Sequence, residues 1–408
     1  MTFKELYNEV VSEAVKKDPS KLKAYDKLDK YQLDCLLYPE QHTVIWRLKP
    51  CPCPPEKQRE CEASCQYGAI RPGMEFDDEK CVGCGECVDN CPENNLTDNR
   101  QAVPILNAIR EGRLVYAMIA PAFLGQYSPE VTPGRLRSAF FKAGFKGMIE
   151  VALFADILTL KEALEFDANI LKDSDFQLTS CCCPLWIAMI RKVYNKLMPH
   201  VPGSVSPMIA CGRAIKTLYP DAVTVFIGPC IAKKAEARES DLKGAVDYVL
   251  TFREMKDIFD IMQINPEDFD EEDREHSSRA GRIYARTGGV SEAVKTAVSR
   301  ISPDRKISVR TECADGVKAC RNMLDRLLRG ETNANFFEGM GCVGGCVGGP
   351  KAVIDTEKGT ENVNVYGDKA VFESPIDNPY VIKILNRLGF DTVESLLGDS
   401  EIFTRHFE

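Results

Sequence analysis

The sequence predicts an α/β fold that follows a short cysteine-rich segment, and three observations lead to this prediction. Hydrophobic residues make up 44% of the 408 residues, which is enough for the core of a globular protein. From about Ala102 onward, short apolar runs typical of buried strands alternate with amphipathic stretches typical of helices. Before that point, eight cysteines fall between Cys51 and Cys91, where other apolar residues are sparse. Bound metal is therefore expected to hold that segment together.

Three consecutive regions are expected along the chain. Residues 1–46 are predicted to be a helical extension, with one helix that breaks at Asp18-Pro19 and a second from about 21 to 37. Residues 47–104 are predicted to be the small α+β domain that contains the cysteine-rich segment. Residues 105–408 are predicted to be the α/β domain.

Within the α/β domain, apolar periodicity predicts the individual elements. Strands are predicted at residues 113–121, 146–152, 176–179, 222–227, 247–251, 307–311 and 336–338, with a polar strand and turn at 351–368. Helices are predicted at residues 157–166, 184–197, 252–262, 291–299, 321–330 and within 378–406. Several strands end shortly before cysteines, and α/β proteins place their sites at the carboxyl ends of strands.

Charge and hydropathy narrow the class of protein. The net charge of -9 argues against the clustered basic surface of a nucleic-acid-binding protein. No stretch approaches the roughly 18 apolar residues of a membrane span, and the N-terminus lacks the apolar core of a secretion signal. We therefore expect a cytoplasmic protein, in which the 18 cysteines bind metal or act in catalysis and do not form disulfides.

A cysteine run typical of bacterial ferredoxins, C-x2-C-x2-C-x3-C-P, spans Cys81–Cys91. Zinc sites instead use two separated pairs of ligands. In two-cluster ferredoxins the fourth cysteine of a run ligates the other cluster, so a second group of cysteines is expected. We predict a two-cluster ferredoxin-like domain, with one 4Fe-4S cluster on Cys51, Cys53, Cys61 and Cys91 and the other on Cys65, Cys81, Cys84 and Cys87. The alternative is a single cluster, with the first group binding zinc or nothing.

Three further motifs lie in the α/β domain. They are Thr179-Ser180-Cys181-Cys182-Cys183-Pro184, Gly228-Pro229-Cys230-Ile231-Ala232-Lys233-Lys234-Ala235-Glu236 and Glu338-Gly339-Met340-Gly341-Cys342-Val343-Gly344-Gly345-Cys346-Val347-Gly348-Gly349. Adjacent cysteines rarely reach disulfide geometry with each other. Beside a metal, however, one thiol can be a ligand while its neighbour carries protons.

Together these motifs resemble the three signatures of FeFe-hydrogenases (iron-only hydrogenases), which are T-S-C-C-P, P-C-x-x-K-K-x-E and E-x-M-x-C-x-G-G-C-x-x-G-G. The resemblance covers residues 105–350 closely, and Arg286–Val290 also resembles a family segment beside the cluster. It implies a two-lobed catalytic domain with an H-cluster, which is a 4Fe-4S cubane bridged by a cysteine to a two-iron unit with CO, cyanide and azadithiolate. By resemblance, Cys230, Cys342 and Cys346 ligate the cubane, Cys346 is the bridge, and the triple cysteine supplies the fourth ligand.

The resemblance also implies roles for other side chains. Lys233 would donate hydrogen bonds to a cyanide ligand, because a compact ammonium suits an anionic acceptor. Glu236 would pair with nearby cations, and the polarizable Met340 thioether would shape the pocket. A thiol within hydrogen-bond reach would relay protons to the azadithiolate amine. The loop residues expected at the cofactor are Gly228, Pro229, Gly344 and Gly345, with glycines allowing close backbone approach.

The chain departs from the family pattern in its first motif, because the family has two cysteines there, a proton donor followed by a ligand. Counting forward from Thr179 makes Cys181 the donor and Cys182 the ligand. Counting back from Pro184, which should open a helix, makes Cys182 the donor and Cys183 the ligand. We favour the second assignment, with the extra residue upstream. A triple cysteine resembles a less-studied subgroup from anaerobic bacteria.

Two more departures concern the surroundings of the cofactor. Gly228 stands where many family members have methionine, so we expect extra space beside the two-iron unit. The serine of the family's usual proton route is expected at Pro202 and its acidic partners near Ala163 and Phe166, so the usual route looks absent. The substitutes considered are Glu162, Glu165 and Glu236.

The resemblance implies an enzyme that interconverts protons and electrons with H2. Its partners would be a soluble ferredoxin-like electron carrier and the maturases that build the two-iron unit, with neither nucleic acid nor membrane involved. Two alternatives share the fold: an H2-sensing regulatory hydrogenase, and a hydrogenase-like iron–sulfur assembly protein without the two-iron unit. Sensors usually carry a further signalling domain, and assembly proteins lack the full P-C-x-x-K-K signature that is intact here.

Overall fold

The computed structural model of the chain describes residues 3–16, 25–51, 53, 55–71, 75–77, 79–179, 182–272 and 276–407. The predicted helix break at Asp18-Pro19 and the thiol of Cys181 therefore lie outside the described residues. No helix in these ranges is both long and apolar enough to cross a membrane.

The described residues contain helices from one end of the chain to the other. In chain order they are α1 Phe3–Val15, α2 Lys30–Leu37, α3 Pro55–Ser64, α4 Glu86–Asp89, α5 Ala102–Arg110, α6 Pro133–Lys142, α7 Ala152–Asn169, α8 Pro184–Lys192, α9 Pro207–Leu218, α10 Ala232–Glu236, α11 Phe252–Met262, α12 Arg279–Arg282, α13 Gly289–Ile301, α14 Val317–Leu328, α15 Thr356–Asp368 and α16 Pro379–Arg387. The predicted α/β helices recur here, and three of them, α7, α13 and α14, are longer than expected. The helix predicted to reach residue 197 is shorter and ends at Lys192.

The strands are short and form four sheets among the described residues. In chain order they are β1 Ile45–Arg47, β2 Ile70–Arg71, β3 Glu75–Phe76, β4 Leu96–Asp98, β5 Val115–Ile119, β6 Gly147–Glu150, β7 Gln177–Leu178, β8 Val223–Gly228, β9 Tyr248–Thr251, β10 Thr311–Asp315 and β11 Phe336–Met340. The prediction of an α/β fold is confirmed.

The main sheet is parallel, with strand order β6-β5-β8-β9. Every residue of β8 is buried, as expected for a central parallel strand covered by helices on both faces. The sheet lies in the largest apolar core, which also contains Tyr7, Val10 and Val11 of α1. The N-terminal helix therefore packs into the core of the α/β domain.

A second parallel sheet has the order β10-β11-β7. It packs in a separate core together with Trp186 of α8 and Val290 of α13. The two sheets are the centres of two lobes, and both direct the carboxyl ends of strands to cysteine-bearing loops. This topology brings motifs that are distant in sequence to one place.

The cysteine-rich segment folds around two small antiparallel pairs, β1 with β4 and β2 with β3. The boundary expected between residues 46 and 47 falls inside β1, whose partner β4 comes some 50 residues later in the chain. The start and end of the segment are thus joined by backbone hydrogen bonds.

Two predicted elements are wrong. The strand expected at 307–311 begins only at Thr311, because its register pairs Thr311–Asp315 with Phe336–Met340. The strand and turn expected at 351–368 is instead the helix α15. Asp355 caps it by accepting a hydrogen bond from the Lys358 N–H at 2.9 Å.

The glycines of α15 explain why the sequence pattern was misleading. Glycine lowers intrinsic helix propensity. A Cβ at Gly359 would lie 3.0 Å from Cβ of Val347, and one at Gly367 would lie 2.8 Å from Cγ2 of Ile283. The glycines are therefore at points where the helix packs closely on its neighbours, and this packing is tertiary information.

Candidate active site

The three motifs of the α/β domain meet at the ends of strands from both sheets. Cys182 and Cys183 lie between β7 and α8, Cys230 follows β8, and the loop with Cys342 and Cys346 follows β11. This is the edge at which open α/β sheets bind ligands.

These residues line one cavity of about 70 Å³. Its lining is mostly apolar and includes Cys182, Cys183, Pro229, Cys230, Lys233, Tyr284, Met340, Cys342, Gly345 and Cys346. An apolar cavity with a few convergent polar groups is the usual form of a cofactor or substrate site.

Cys183 groups with the three other expected cubane ligands. Its charge is among the causes that raise the pKa of Cys230, Cys342 and Cys346, where burial is the largest cause. It is the N-cap residue of α8, directly before Pro184, and its Sγ accepts a hydrogen bond from the Gly341 N–H at 3.3 Å. This arrangement supports Cys183 as the fourth cubane ligand, and with it the assignment obtained by counting back from Pro184.

The electrostatics of the thiols fit a metal-bound state. Burial raises the pKa of Cys230 to about 11 and that of Cys346 to about 12. Cys230, Cys342 and Cys346 would carry thiolate only if bound cations compensated, as they do in cysteine-ligated clusters. The donor set thus fits an iron–sulfur group.

Lys233 and Glu236 form a buried ion pair at the cavity wall. Lys233 Nζ donates to Glu236 Oε2 at 2.6 Å, and the two side chains are 8% and 1% exposed. Burial lowers the pKa of Lys233, but Glu236 outweighs this and raises it overall. Glu236 Oε1 is buried with no hydrogen-bond partner among the described residues. Lys233 thus remains a cation beside the thiols.

The glycines of the third motif are required by the packing of the loop itself, and Gly345 also lines the cavity. Gly344 and Gly345 have φ of +80° and +87°, which favours glycine. A Cβ on Gly344 would lie 2.2 Å from Cγ2 of Thr356, and one on Gly345 would lie 2.8 Å from the Thr287 nitrogen. The Thr287 N–H donates to the Gly344 carbonyl at 3.1 Å, so the 286–290 segment lies beside this loop as expected.

Cys182 is placed differently from Cys183. It lines the cavity and is half-buried. Burial raises its pKa well above the usual value, and the charges of Cys183 and Glu162 add to this. A thiol that stays protonated beside a buried carboxylate can exchange a proton with that carboxylate.

Two of the acidic residues considered as substitutes in the family's proton route lie on one helix, and the charge of Glu162 contributes to the raised pKa of Cys182. Glu162 and Glu165 both lie on α7, one turn apart, with Glu162 only 1% exposed. Burial raises the pKa of Glu165, against the lowering effects of Lys161 and Ser204. Lys161 Nζ donates to Glu165 Oε1 at 2.7 Å.

Ser204, two residues after Pro202, is a buried hydroxyl near Glu165. It is fully buried and close enough to lower the pKa of Glu165. Ser204 Oγ and Glu165 Oε2 are both buried without a hydrogen-bond partner among the described residues. Glu162, Glu165 and Ser204 are therefore candidates for proton transfer near Cys182.

Gly228 does not open space, which corrects a second expectation. A Cβ at Gly228 would lie 2.8 Å from Cε1 of Phe226, so the ring of Phe226 occupies that position. Pro229 lines the cavity as expected, and its carbonyl accepts a hydrogen bond from the Lys351 N–H at 3.0 Å.

The thiols of the cysteine-rich segment influence one another in two sets, which overlap at Cys61. Burial, and then the charges of Cys91, Cys53 and Cys51, raise the pKa of Cys61 to about 11. Burial, together with the charges of Cys81 and Cys65, raises the pKa of Cys84 to about 11. Burial and the charges of Cys84, Cys81, Cys65 and Cys61 raise the pKa of Cys87. Among the described residues, no three Cys, His, Asp or Glu side chains converge on a single ion position. The assignment of two clusters to these thiols therefore stays a prediction.

The group predicted on Cys65, Cys81, Cys84 and Cys87 lies beside the residues that follow Cys230. A Cβ at Gly83 would lie 3.1 Å from the Ala232 Cα, and one at Gly85 would lie 2.8 Å from the Ile231 Cδ1. Ile231 and Ala232 directly follow Cys230 in the sequence. The charge of Cys84 also contributes to the raised pKa of Cys342.

Some residues were missed or misjudged in the sequence. Glu338 caps α13, because its carboxylate accepts hydrogen bonds from the Gly288 and Ser291 N–H groups, both at 2.8 Å. Cys313, which belongs to none of the motifs, is exposed, with its Sγ 3.2 Å from Ser291 Oγ. Tyr284 lines the cavity, and its hydroxyl oxygen accepts a hydrogen bond from Thr159 Oγ1 at 2.9 Å. No motif signals Tyr284, since it lies outside the cysteine-bearing loops.

Comparison with known families gives two matches. Residues 113–350 match the family described as iron only hydrogenase large subunit, C-terminal domain. Residues 74–97 match the 4Fe-4S binding domain.

Curated relatives include hydrogenases and assembly proteins. The periplasmic [Fe] hydrogenase large subunit of Nitratidesulfovibrio vulgaris is 29% identical over 364 residues, with 69% of this chain and 86% of that protein covered. The NADP-reducing hydrogenase subunit HndD of Solidesulfovibrio fructosivorans is 26% identical over 374 residues, and this chain spans only 64% of its length. Cytosolic iron-sulfur assembly component 3 of Bos taurus is 21% identical over 337 residues, with 66% and 70% covered.

The fold is also similar to solved structures. [FeFe]-hydrogenase HydA1 from Chlamydomonas reinhardtii aligns with a TM-score of 0.59 and 20% identity, covering 72% of this chain and 94% of that one. At this identity the likeness shows the fold.

Proposed function

Because the chain belongs to the iron-only hydrogenase large-subunit family, we propose that it is an FeFe-hydrogenase, catalysing the reversible interconversion of protons and electrons with H2. One observation carries this proposal. The thiols of Cys183, Cys230, Cys342 and Cys346 line a single cavity together with Lys233, Met340 and the further thiol of Cys182.

Four thiols would hold the cubane of an H-cluster, with Cys346 as the bridge to a two-iron unit bearing CO, cyanide and azadithiolate. When bound, this group supplies the metal chemistry that forms and cleaves H2. Lys233 holds a positive charge toward the cavity, where it would bind cyanide, and Glu236 fixes its position. Met340, 2% exposed, contributes an apolar wall that excludes water.

Protons would move through side chains of this chain. Cys182 would exchange a proton with the reacting centre, since it is the cavity thiol that does not group with the cubane ligands. Glu162, Ser204 and Glu165 would connect Cys182 to the outside. General acid–base transfer by such positioned groups contributes about 10²–10⁴-fold to a rate.

Electrons would enter through two 4Fe-4S clusters in the cysteine-rich segment. The group Cys51, Cys53, Cys61 and Cys91 would be the outer cluster, and the group Cys65, Cys81, Cys84 and Cys87 the inner one. The contacts of Gly83 and Gly85 with Ile231 and Ala232 support this order. A soluble ferredoxin-like carrier is the proposed donor, and maturases would supply the two-iron unit.

A hydrogenase-like assembly protein is the second candidate, because proteins of that kind are among the relatives. The residues that favour catalysis are Lys233, placed at the cavity, and Cys182, a thiol beyond those needed for a cubane. An H2-sensing regulatory hydrogenase would use the same site and would be distinguished by slow turnover.

The test is to reconstitute the iron–sulfur clusters, add a synthetic two-iron cofactor, and record infrared spectra and H2 evolution. We expect CO and cyanide bands and measurable H2 evolution. An absence of these bands after loading would favour the assembly function. Bands with negligible H2 evolution would favour the sensor.

A further inference from the structure

At the end of strand β8, the ring of Phe226 occupies the space that a side chain at Gly228 would need. Residues 226 and 228 face the same side of the strand, because strand side chains alternate. A Cβ on Gly228 would lie 2.8 Å from Cε1 and 3.0 Å from Cζ of Phe226, and 3.0 Å from Cβ of Ala120. Any side chain at position 228 would therefore have to displace the ring of Phe226.

Phe226 is also part of the cavity wall. Its side chain is 4% exposed, and it lines the cavity with Ala120, Cys182, Lys233 and Met340. The apolar surface on this side of the cavity thus comes from a residue two positions before the second motif. No motif singles out position 226, which reads as an ordinary buried strand residue.

We propose that Phe226 is a specificity-determining residue, whose ring sets the free volume beside the thiols and thereby controls the entry of small diatomic ligands such as H2 and CO. The identity of these ligands rests on the proposed function. Protein interiors relax only partly when a large side chain is removed, so a smaller residue leaves a cavity. Apolar cavities of this kind admit apolar guests such as xenon.

A role in packing alone is the competing explanation, because Phe226 belongs to the same apolar core as Phe259. Phe259 is 2% exposed and packs against Tyr127 and Phe140, away from the thiols. Phe259→Leu is therefore a matched control. It should lower stability as Phe226→Leu does, without changing the entry of ligands.

The first experiment uses the protein with its iron–sulfur clusters but without the two-iron unit. Thermal unfolding is measured for Gly228→Ala, Phe226→Ala and the double variant, and xenon binding is measured by ¹²⁹Xe NMR. We expect Gly228→Ala to lower the unfolding midpoint strongly alone and much less beside Phe226→Ala, because contacting residues are not additive. We also expect stronger xenon binding in Phe226→Ala, or in Phe226→Leu if the alanine variant does not fold. Additive midpoints together with unchanged xenon binding would overturn the proposal.

The second experiment uses the loaded protein, with CO binding followed by infrared spectroscopy. Phe226→Leu should bind CO severalfold faster than the unaltered protein, and Phe259→Leu should bind it at the same rate as the unaltered protein. Equal rates in all three proteins, with intact cofactor bands, would overturn this proposal and leave the proposed function standing. Missing bands in the unaltered protein would instead contradict the proposed function, and the xenon measurement would still decide the role of Phe226.

Discussion

At the scale of single residues, two of the three adjacent cysteines occupy different positions in the site. Cys183 caps α8 and lies among Cys230, Cys342 and Cys346, whereas Cys182 faces the same cavity beside Glu162. Neighbouring residues in an extended segment point in different directions, so one can be a ligand and the next a proton donor. Cys181 lies outside the described residues.

Single substitutions test this assignment. We expect Cys182→Ala to keep all clusters and the infrared bands but to lose at least about 10²-fold in H2 evolution, since a proton donor is removed. Cys183→Ala should instead lose the cubane, as seen by iron content and electron paramagnetic resonance. Full turnover by the Cys182 variant with an intact cofactor would show that the donor is another residue.

The proposed proton route through Glu162, Ser204 and Glu165 gives a second prediction. Ser204→Ala and Glu165→Gln should each lower H2 evolution by about 10²-fold or more, because each breaks proton transfer between buried groups. Pro202→Ala is the matched control, because the sequence comparison with the family placed the serine at position 202. This variant should retain activity. The cofactor bands should be unchanged in all three variants. An active Ser204→Ala protein would contradict the route.

At the scale of elements, a buried ion network joins the cysteine-rich segment to the α/β domain. Lys234 of α10 donates to Asp98 Oδ2 of β4 at 2.8 Å and to Glu254 Oε2 of α11 at 2.9 Å, with all three side chains fully buried. Arg100 and Lys351 lie 3.5 and 3.4 Å from Asp98 Oδ1. The second lysine of the P-C-x-x-K-K motif is thus a structural connection, next to a lysine proposed for catalysis.

Removing this lysine should be costly. Lys234→Met leaves two buried carboxylates without their shared partner, and breaking a buried pair costs about 3–5 kcal/mol. Lys256→Met is the control, because Lys256 pairs with Asp260 on the surface at 2.9 Å, where a pair contributes at most about 1 kcal/mol. Denaturant unfolding of both variants measures the difference. Equal losses would show that the network does not stabilise the protein.

The same network predicts sensitivity to acid. Burial alone would raise the pKa of Asp98, but Arg100 and Lys234 hold it well below the usual value. A carboxyl with a lowered folded-state pKa adds stability above its unfolded pKa of about 4, and this stability is lost as the pH falls further. We expect the unfolding midpoint of the cluster-free protein to fall below about pH 4, and Asp98→Asn to reduce this pH dependence. An unchanged slope in Asp98→Asn would assign the acid sensitivity to other groups.

At the scale of the whole molecule, the two sheets and the cysteine-rich segment converge on one cavity. The proposed clusters then lie in sequence from the segment to the thiols, with Gly83 and Gly85 against the residues that follow Cys230. Close packing at this junction requires glycine, because a side chain would meet Ile231 or Ala232. The segment is therefore joined to the α/β domain by packing as well as by the Lys234 network.

Iron content tests this arrangement. Three 4Fe-4S clusters correspond to about 12 iron atoms per chain before the two-iron unit is added. Cys87→Ala should lose the inner cluster and slow H2 evolution with a reduced ferredoxin as donor, while the infrared bands of the loaded protein remain. An iron content of about 8 atoms in the unaltered protein would support the alternative of a single cluster in the cysteine-rich segment.

The sequence by itself predicted the cysteine motifs' chemistry and determined most of the α/β elements. Cysteine spacing predicted the two thiol groups, and apolar runs predicted the strands of the main sheet, since buried parallel strands are apolar on both faces. Predictions failed where a residue is required by contacts with residues that are distant in the sequence. The glycines of α15 disguise a helix because they pack against Val347 and Ile283.

Only the tertiary structure decided how the motifs combine. It grouped Cys183 with Cys230, Cys342 and Cys346, placed Ser204 beside Glu165, and filled the space at Gly228 with the ring of Phe226. Each of these contacts joins residues whose proximity depends on strand register, helix phase or loop path. Local sequence patterns specify what a residue can do, whereas the packing of elements against one another specifies which residues meet.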